Sequence, residues 1–212
     1  MLSVSALHCE RDERVLFTGL AFTIAAGEVW QVQGQNGSGK TTLLRVLCGL
    51  NHDYSGGIFW QGDTITRQAE NFRAGVFYLG HSPAINKALT PLQNLRWFCA
   101  VSGFADDTAI TAALAEQGLR GYGEVPCHHL SAGQQRRVSL ARLALSPALL
   151  WILDEPFTAL DRHGVAALER QIAAKAHAGG SVLLTTHHPL QLDCEVKRID
   201  LDARARQQAL SA

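Results

Sequence analysis

Short runs of alternating or apolar residues recur along the first third of the chain and predict strands. Residues 2–9 alternate partly in polarity, and residues 20–24 alternate again before a turn at Ala25–Glu28. Such alternation is typical of strands with one buried face. Ile58–Trp60 follows a glycine turn and predicts another short strand. We therefore expect a strand-rich, antiparallel lobe at the N-terminus.

Three later runs are almost wholly apolar, which is typical of strands buried within a parallel sheet. They are Val76–Leu79, Leu149–Leu153 and Val182–Thr186. Between the first two runs, apolar residues recur at helical spacing from Pro91 onward, and a second helix is predicted over Ala109–Leu119. The pattern predicts an α/β fold with an inserted helical lobe at about residues 85–129.

Length and charge limit the class of protein. The 212 residues fit one domain, and nineteen basic residues balance nineteen acidic ones, so no overall field attracts the chain to nucleic acid or to an anionic membrane. No segment approaches the ~20 apolar residues of a membrane span, and the N-terminus has no signal-peptide pattern. We expect a cytoplasmic protein that reaches a membrane only through a partner.

The cysteines and histidines predict no disulfide frame, zinc site or haem attachment. The five cysteines are odd in number and include no C-x-x-C pair. The nine histidines include the pairs His128–His129 and His187–His188, but adjacent side chains on a strand point to opposite faces and cannot both bind one metal. We interpret the cysteines as reduced, small apolar side chains.

The stretch Gly34–Thr42 follows an apolar-leaning run at Val29–Gln33 and opens into a helix at Leu43. Its G-x-x-x-x-G-K-[ST] spacing is that of a phosphate-binding loop, because the glycines let consecutive N–H groups surround an anion and the helix adds its positive end. Lys40 is placed to contact the β- and γ-phosphates, and the Thr41 hydroxyl to complete a Mg²⁺ shell. The candidate nucleotide ligands are Gly34, Gln35, Asn36, Gly37, Ser38, Gly39, Lys40, Thr41 and Thr42.

Acidic and imidazole side chains follow two of the apolar runs. Asp154 and Glu155 come directly after Leu149–Leu153, so that one carboxylate can hold Mg²⁺ while the next faces water. His187 follows the last run, from which it can reach the γ-phosphate. Downstream of a phosphate loop, this order predicts a metal-holding strand, followed later in the chain by a second buried strand that ends in a histidine.

A helix is predicted to begin at Ser131. Ser131 with Gln134 three residues later has the form of a capping box. The residues leave two interpretations open: an ordinary capped helix, or a second helix N-terminus that faces a phosphate.

Taken in order, these motifs resemble the nucleotide-binding subunit of ABC transporters across nearly the whole chain. The resemblance implies a P-loop ABC ATPase core formed as one domain by residues 1–212. The matching segments are Gly34–Thr42 (Walker A), Leu130–Gln134 (signature, with Ser131, Ala132, Gly133 and Gln134), Leu149–Asp154 (Walker B), Glu155 (catalytic glutamate), Thr158–Asp161 (D-loop, ending in Asp161) and His187 (switch histidine).

The resemblance also implies a mechanism. Two subunits bind head to tail as a homodimer, so that each ATP lies between the Walker A loop of one chain and the signature of the other. Glu155 then polarises the attacking water and His187 orients it. Lys40, Mg²⁺ and the signature helix stabilise the developing charge. Thr41 and Asp154 are the implied metal ligands.

The chain departs from the family pattern at three places. Ala132 replaces a glycine of the signature, which requires a negative φ there. His81 occupies the position of the Q-loop glutamine: it either substitutes for that amide in part or is an ordinary loop histidine. No aromatic residue lies around Cys9 and Glu10, where the family stacks a ring on adenine. Phe17 or a residue of the partner chain is the alternative source of that ring.

Within the family, three segments resemble the CcmA group, the ATPases of bacterial cytochrome c maturation. They are Gly80–Pro83, Leu130–Arg137 and Trp151–Thr158. This resemblance implies a membrane subunit CcmB, with CcmC nearby and the haem chaperone CcmE indirectly, at the cytoplasmic face of the inner membrane. It leaves open whether ATP drives haem export or release of the loaded chaperone. The alternatives are the ATPase of another ABC exporter and a soluble, non-transport ABC ATPase.

Overall fold

The predicted strands fall into two sheets in a computed structural model, which describes residues 1–67, 69–101 and 106–202. In chain order the elements are β1 (Leu2–Arg11), β2 (Arg14–Ile24), β3 (Val29–Gln33), α1 (Lys40–Leu47), β4 (Ser55–Trp60), β5 (Asp63–Thr64), α2 (Ala69–Gly75), β6 (Val76–Leu79), α3 (Pro91–Val101), α4 (Asp107–Glu116), a 3₁₀ turn (Cys127–His129), α5 (Ala132–Leu145), β7 (Leu150–Asp154), α6 (Arg162–His177), β8 (Ser181–Thr185) and β9 (Val196–Asp200).

The N-terminal sheet is antiparallel, with strand order β2-β1-β4-β5. The partial alternation of β1 is reflected in its burial, because Leu2, Val4 and Leu7 are buried while Ser5 is exposed. The predicted antiparallel lobe is confirmed.

The second sheet has strand order β6-β7-β8-β3-β9, and all of its pairings are parallel. Every residue of β7 and β8 is buried, as the apolar runs predicted. Along β7, Trp151 and Leu153 pack with the helices on one face, while Leu150 and Ile152 pack with α1 and the antiparallel sheet on the other. The α/β class is therefore confirmed.

Two of the helices between β6 and β7, α3 and α4, lie within residues 85–129, the stretch predicted to form an inserted helical lobe. Both α3 and α4 pack against α5. The predicted bounds of the second helix, residues 109–119, are wrong by a few residues. The helix begins at Asp107, because the Asp106 carboxylate accepts a hydrogen bond from the Thr108 N–H (2.8 Å) and caps it. It ends at Glu116, and Gly118 then takes a left-handed conformation (φ +69°).

Within the described ranges, no helix combines the length and apolar character that crossing a bilayer requires.

Candidate functional site

The loops that follow β3, β6, β7 and β8 meet at one edge of the parallel sheet, because parallel strands end at the same edge. They border a cleft of about 780 Å³, within the size range of small-molecule sites. The predicted site residues that line it are Asn36, Gly37, Gly39, Lys40, Thr41, Thr42, His81, Asp154, Glu155 and His187. Gly34, Gln35 and Ser38 belong to the same phosphate loop but do not line the cleft.

Three glycines of the phosphate loop, Gly34, Gly37 and Gly39, have positive φ. Gly34 has φ +152°, and a Cβ there would press on the Ser38 side chain, so a larger residue would be strained. Lys40 Nζ donates hydrogen bonds to the carbonyls of Gly34 (2.7 Å) and Gln35 (3.0 Å). Ser38 Oγ is buried and has no hydrogen-bond partner among the residues that the structure describes. A buried hydroxyl left without a partner fits a loop that holds a polar ligand group.

One residue that bonds to this loop was not predicted. The Gln35 N–H donates to the carboxylate of Asp202 (2.8 Å), which lies just beyond β9. The two residues are far apart in sequence, so no local motif indicates the contact.

A hydroxyl from β8 bonds to the Asp154 carboxylate at the end of β7 and to the backbone of Glu155. Thr185 Oγ1 donates to Asp154 Oδ1 (2.7 Å) and accepts from the Glu155 N–H (2.9 Å). Asp154 is only 2% exposed. Glu155 takes a left-handed backbone conformation (φ +46°) that is uncommon for a residue other than glycine. Its Oε1 lies 3.6 Å from His187 Nε2.

Two titratable groups close to Asp154 stay protonated. Burial, and then the charge of Asp154, raises the pKa of the Cys48 thiol. The same two causes raise the pKa of Tyr78 to about 12. The Cys48 thiol and the Tyr78 hydroxyl are therefore poor candidates for a nucleophile or base at neutral pH.

The end of the cleft away from Asp154 is lined by the hairpin between β1 and β2. Arg11, Asp12, Arg14 and Leu16 face it. The Phe17 ring, considered above as a replacement for the adenine-stacking aromatic, is only 5% exposed and packs in the core. The described residues that line this end of the cleft include two arginines and no aromatic ring. No local pattern predicted these arginines, because the hairpin meets the phosphate loop only in the folded chain.

The signature segment lies outside this cleft. Ser131 caps α5 with the predicted capping box: its Oγ accepts from the Gln134 N–H (3.2 Å), and the Gln134 side chain accepts from the Ser131 N–H (2.9 Å). Ala132 is the first helical residue and has no positive φ, so the condition for tolerating alanine is met. A Cβ on Gly133 would lie 2.8 Å from the Ala159 carbonyl oxygen, so this glycine allows the D-loop to pack closely.

Asp161 anchors the D-loop to two neighbouring helices. Its Oδ1 accepts from the Gly164 N–H (2.8 Å) at the start of α6 and lies 2.5 Å from Arg137 Nη2 on α5. The hydrogen bond from Gly164, and then that from Arg137, lowers the pKa of Asp161. The carboxylate therefore stays charged as the cap of α6.

The histidine pairs are placed differently from the strand geometry assumed above. His128 and His129 lie on a 3₁₀ turn with ring centroids 4.0 Å apart. His188, which follows His187, lies 3.4 Å from Glu169 Oε1 and packs on the Phe157 ring. Across the described parts of the chain, no group of three or more His, Cys, Asp or Glu side chains is placed to hold a metal ion.

Comparison with known proteins agrees with this geometry. The family profile described as ABC transporter matches residues 17–158. An ABC transporter ATP-binding protein from Pyrococcus furiosus has a similar structure, with a TM-score of 0.82 at 25% identity, covering 95% of this chain and 98% of that one.

Two curated relatives are considerably more similar in sequence. The "Cytochrome c biogenesis ATP-binding export protein CcmA" of Hahella chejuensis is 49% identical over 203 residues, covering 96% of each chain. The protein of the same name from Pseudomonas syringae pv. tomato is 51% identical over 201 residues, covering 94% of each. The chain belongs to the ABC transporter family, as an ATPase of that class, and within it to the CcmA group.

Proposed function

We propose that the chain is the ATP-hydrolysing subunit of a membrane complex for cytochrome c biogenesis. The observation that carries the proposal is the convergence of Lys40, Thr41, Asp154, Glu155 and His187 on one cleft. Its relatives' names, which include cytochrome c biogenesis and export, support the biological role.

In this proposal the phosphate loop binds the triphosphate of ATP. The loop amides and the N-terminus of α1 surround the phosphates, and Lys40 contributes its charge. Thr41 and Asp154 would hold Mg²⁺, because a hydroxyl and a carboxylate facing one cleft are the hard oxygen donors that this ion prefers. When bound, Mg²⁺ would neutralise part of the negative charge of the phosphates.

The hydrolytic step is assigned to Glu155 and His187. Glu155 is 22% exposed at its side chain and borders the cleft, so its carboxylate can accept hydrogen bonds from a water at the γ-phosphate. His187, 3.6 Å away, orients the same water and phosphate. Ser131, Ala132, Gly133 and Gln134 act on the ATP of the partner chain, which agrees with their position outside this cleft.

The proposed partners are those that the resemblance to the CcmA group implies. Two copies of the chain would associate with CcmB, with CcmC nearby and CcmE indirectly, at the cytoplasmic face of the inner membrane. ATP hydrolysis would then drive haem export or release of the haem-loaded chaperone.

The test is complementation in bacteria that lack their own copy of this subunit. Wild-type chain, Lys40→Ala and a surface control, Arg170→Ala, are expressed at matched levels, and c-type cytochromes are measured by haem staining. We expect cytochromes with the wild type and the control but none with Lys40→Ala. A detergent pull-down of the wild type should recover the membrane subunit. Normal cytochrome levels with Lys40→Ala would contradict the proposal.

A further inference from the structure

Arg136, in the first half of α5, is a buried arginine that donates only to main-chain carbonyls in its described hydrogen bonds. The residue is 3% exposed. Its acceptors are the carbonyl oxygens of Pro156 (from Nε, 3.2 Å), Gly80 and His81 (from Nη1, 3.0 and 3.3 Å), and Asp154 and Glu155 (from Nη2, 3.3 and 2.9 Å). All three guanidinium nitrogens are therefore used.

These acceptors belong to two loops that leave neighbouring strands. β6 and β7 pair in parallel as far as Leu79 with Leu153. Beyond that pair, β6 leads into Gly80 and His81, and β7 ends at Asp154 and leads into Glu155 and Pro156. The guanidinium bonds to both segments. Because a guanidinium is a rigid planar fork of donors, it holds the two loops at one separation.

One of the carbonyls belongs to Glu155, the residue with the left-handed backbone. Its N–H is held by Thr185 Oγ1 at 2.9 Å, and its C=O by Arg136 at 2.9 Å. A strained conformation of this kind persists where the surroundings hold it in place. The backbone that carries the Glu155 carboxylate, which lies 3.6 Å from His187, is therefore bonded at both its N–H and its C=O.

We propose that Arg136 is a positioning residue for ATP hydrolysis, which fixes the backbone of Glu155 and the loop that carries His81 relative to each other. This inference rests on the proposed function. The adjacent Arg137 has a different role, because it turns to Asp161. Burial lowers the pKa of Arg136, but the charges of Asp154 and Glu155 oppose that effect, so the cation is retained beside the two carboxylates.

The test compares Arg136→Gln and Arg136→Lys with a matched control, Arg142→Lys. Arg142 is a partly buried arginine on the same helix, and it packs over the Phe77 and Phe98 rings away from Glu155. With the full chain and Mg-ATP, we expect Arg136→Gln to lower kcat on the order of 10²-fold while Kd for ATP stays within about threefold. The kcat of Arg136→Lys should lie between those of wild type and Arg136→Gln, because one ammonium cannot reach both loops. Arg142→Lys should change the melting temperature but not kcat.

A combination with Glu155→Gln separates positioning from a general loss of structure. If Arg136 acts through Glu155, adding Arg136→Gln to Glu155→Gln should not lower the residual rate further, since effects within one unit are not additive. A further loss of the same size, or wild-type kcat in Arg136→Gln or in Arg136→Lys, would overturn the inference. If Arg136→Gln does not fold, the same measurements are made with Arg136→Lys, alone and combined with Glu155→Gln. A wild-type chain without any ATP hydrolysis would instead refute the proposed function.

Discussion

Thr185→Val tests whether the buried hydroxyl at the end of β8 organises the two carboxylates. Valine has nearly the same shape, so the change removes hydrogen bonds without leaving a cavity. Thr185 is 0% exposed and Asp154 2%, so water does not readily replace what is lost. The variant loses a bond to an ionised carboxylate (2.7 Å) and leaves the Glu155 N–H without its acceptor (2.9 Å). The bond to the carboxylate is worth roughly 1.5–3 kcal/mol, and the unsatisfied N–H costs roughly 1–3 kcal/mol. Because the surroundings relax in part, we expect the free energy of unfolding to fall by about 2–4 kcal/mol.

The matched control is Ser181→Ala, at the other end of β8. Ser181 is also 0% exposed, and its Oγ donates to the Ala25 carbonyl (2.6 Å), away from the cleft. Urea unfolding should show a loss of only about 1 kcal/mol for this control. ATPase assays should show a lower kcat and a higher Mg²⁺ requirement for Thr185→Val alone. If both variants lose the same stability and Thr185→Val keeps its kcat, the hydroxyl does not organise the carboxylates.

Three further outcomes are expected. His81→Ala should impair partner-coupled ATPase activity more than ATP binding, since Lys40 still holds the phosphates. An equal loss of ATPase activity, measured in membranes, and of ATP affinity, measured by binding, would contradict this. Arg11→Ala should weaken the binding of ATP and of GTP alike, because a base of either kind can stack on a guanidinium. The preference for ATP over GTP should stay within about tenfold. A much larger preference for ATP in competition binding would mean that another residue reads the base. The pKa of Asp161 is lowered in the folded chain, so its charge stabilises the fold above the ordinary pKa of 3.8, and this stabilisation is lost as pH falls through the lower folded pKa. The melting temperature of Asp161→Asn should therefore fall less steeply than that of wild type as pH is lowered. An equally steep fall would exclude this contribution.

Local motifs predicted much of the architecture. The phosphate loop is a continuous stretch whose glycines and following helix act on their own neighbours, so its shape follows from its sequence. The capping box at Ser131 is equally local. The buried strands β7 and β8 were visible because parallel strands covered on both faces are apolar throughout.

Contacts between distant segments were not predictable in the same way. Arg136 meets Gly80 across 56 positions, and Thr185 meets Asp154 across 31. These bonds depend on the parallel register of the sheet and on where α5 packs, which no local pattern gives. Arg11 was missed for a related reason: the β1–β2 hairpin brings it to the cleft only after the two sheets have packed.

The most direct test of the central claim is a comparison of wild type with Glu155→Gln. An amide cannot polarise the attacking water, whereas the phosphate loop and Lys40 are unchanged. With Mg-ATP, we expect Glu155→Gln to bind nucleotide, to lose turnover and to accumulate as a dimer, measured together by binding, phosphate release and light scattering. Undiminished phosphate release from Glu155→Gln would contradict the catalytic assignment, and with it the account of the cleft.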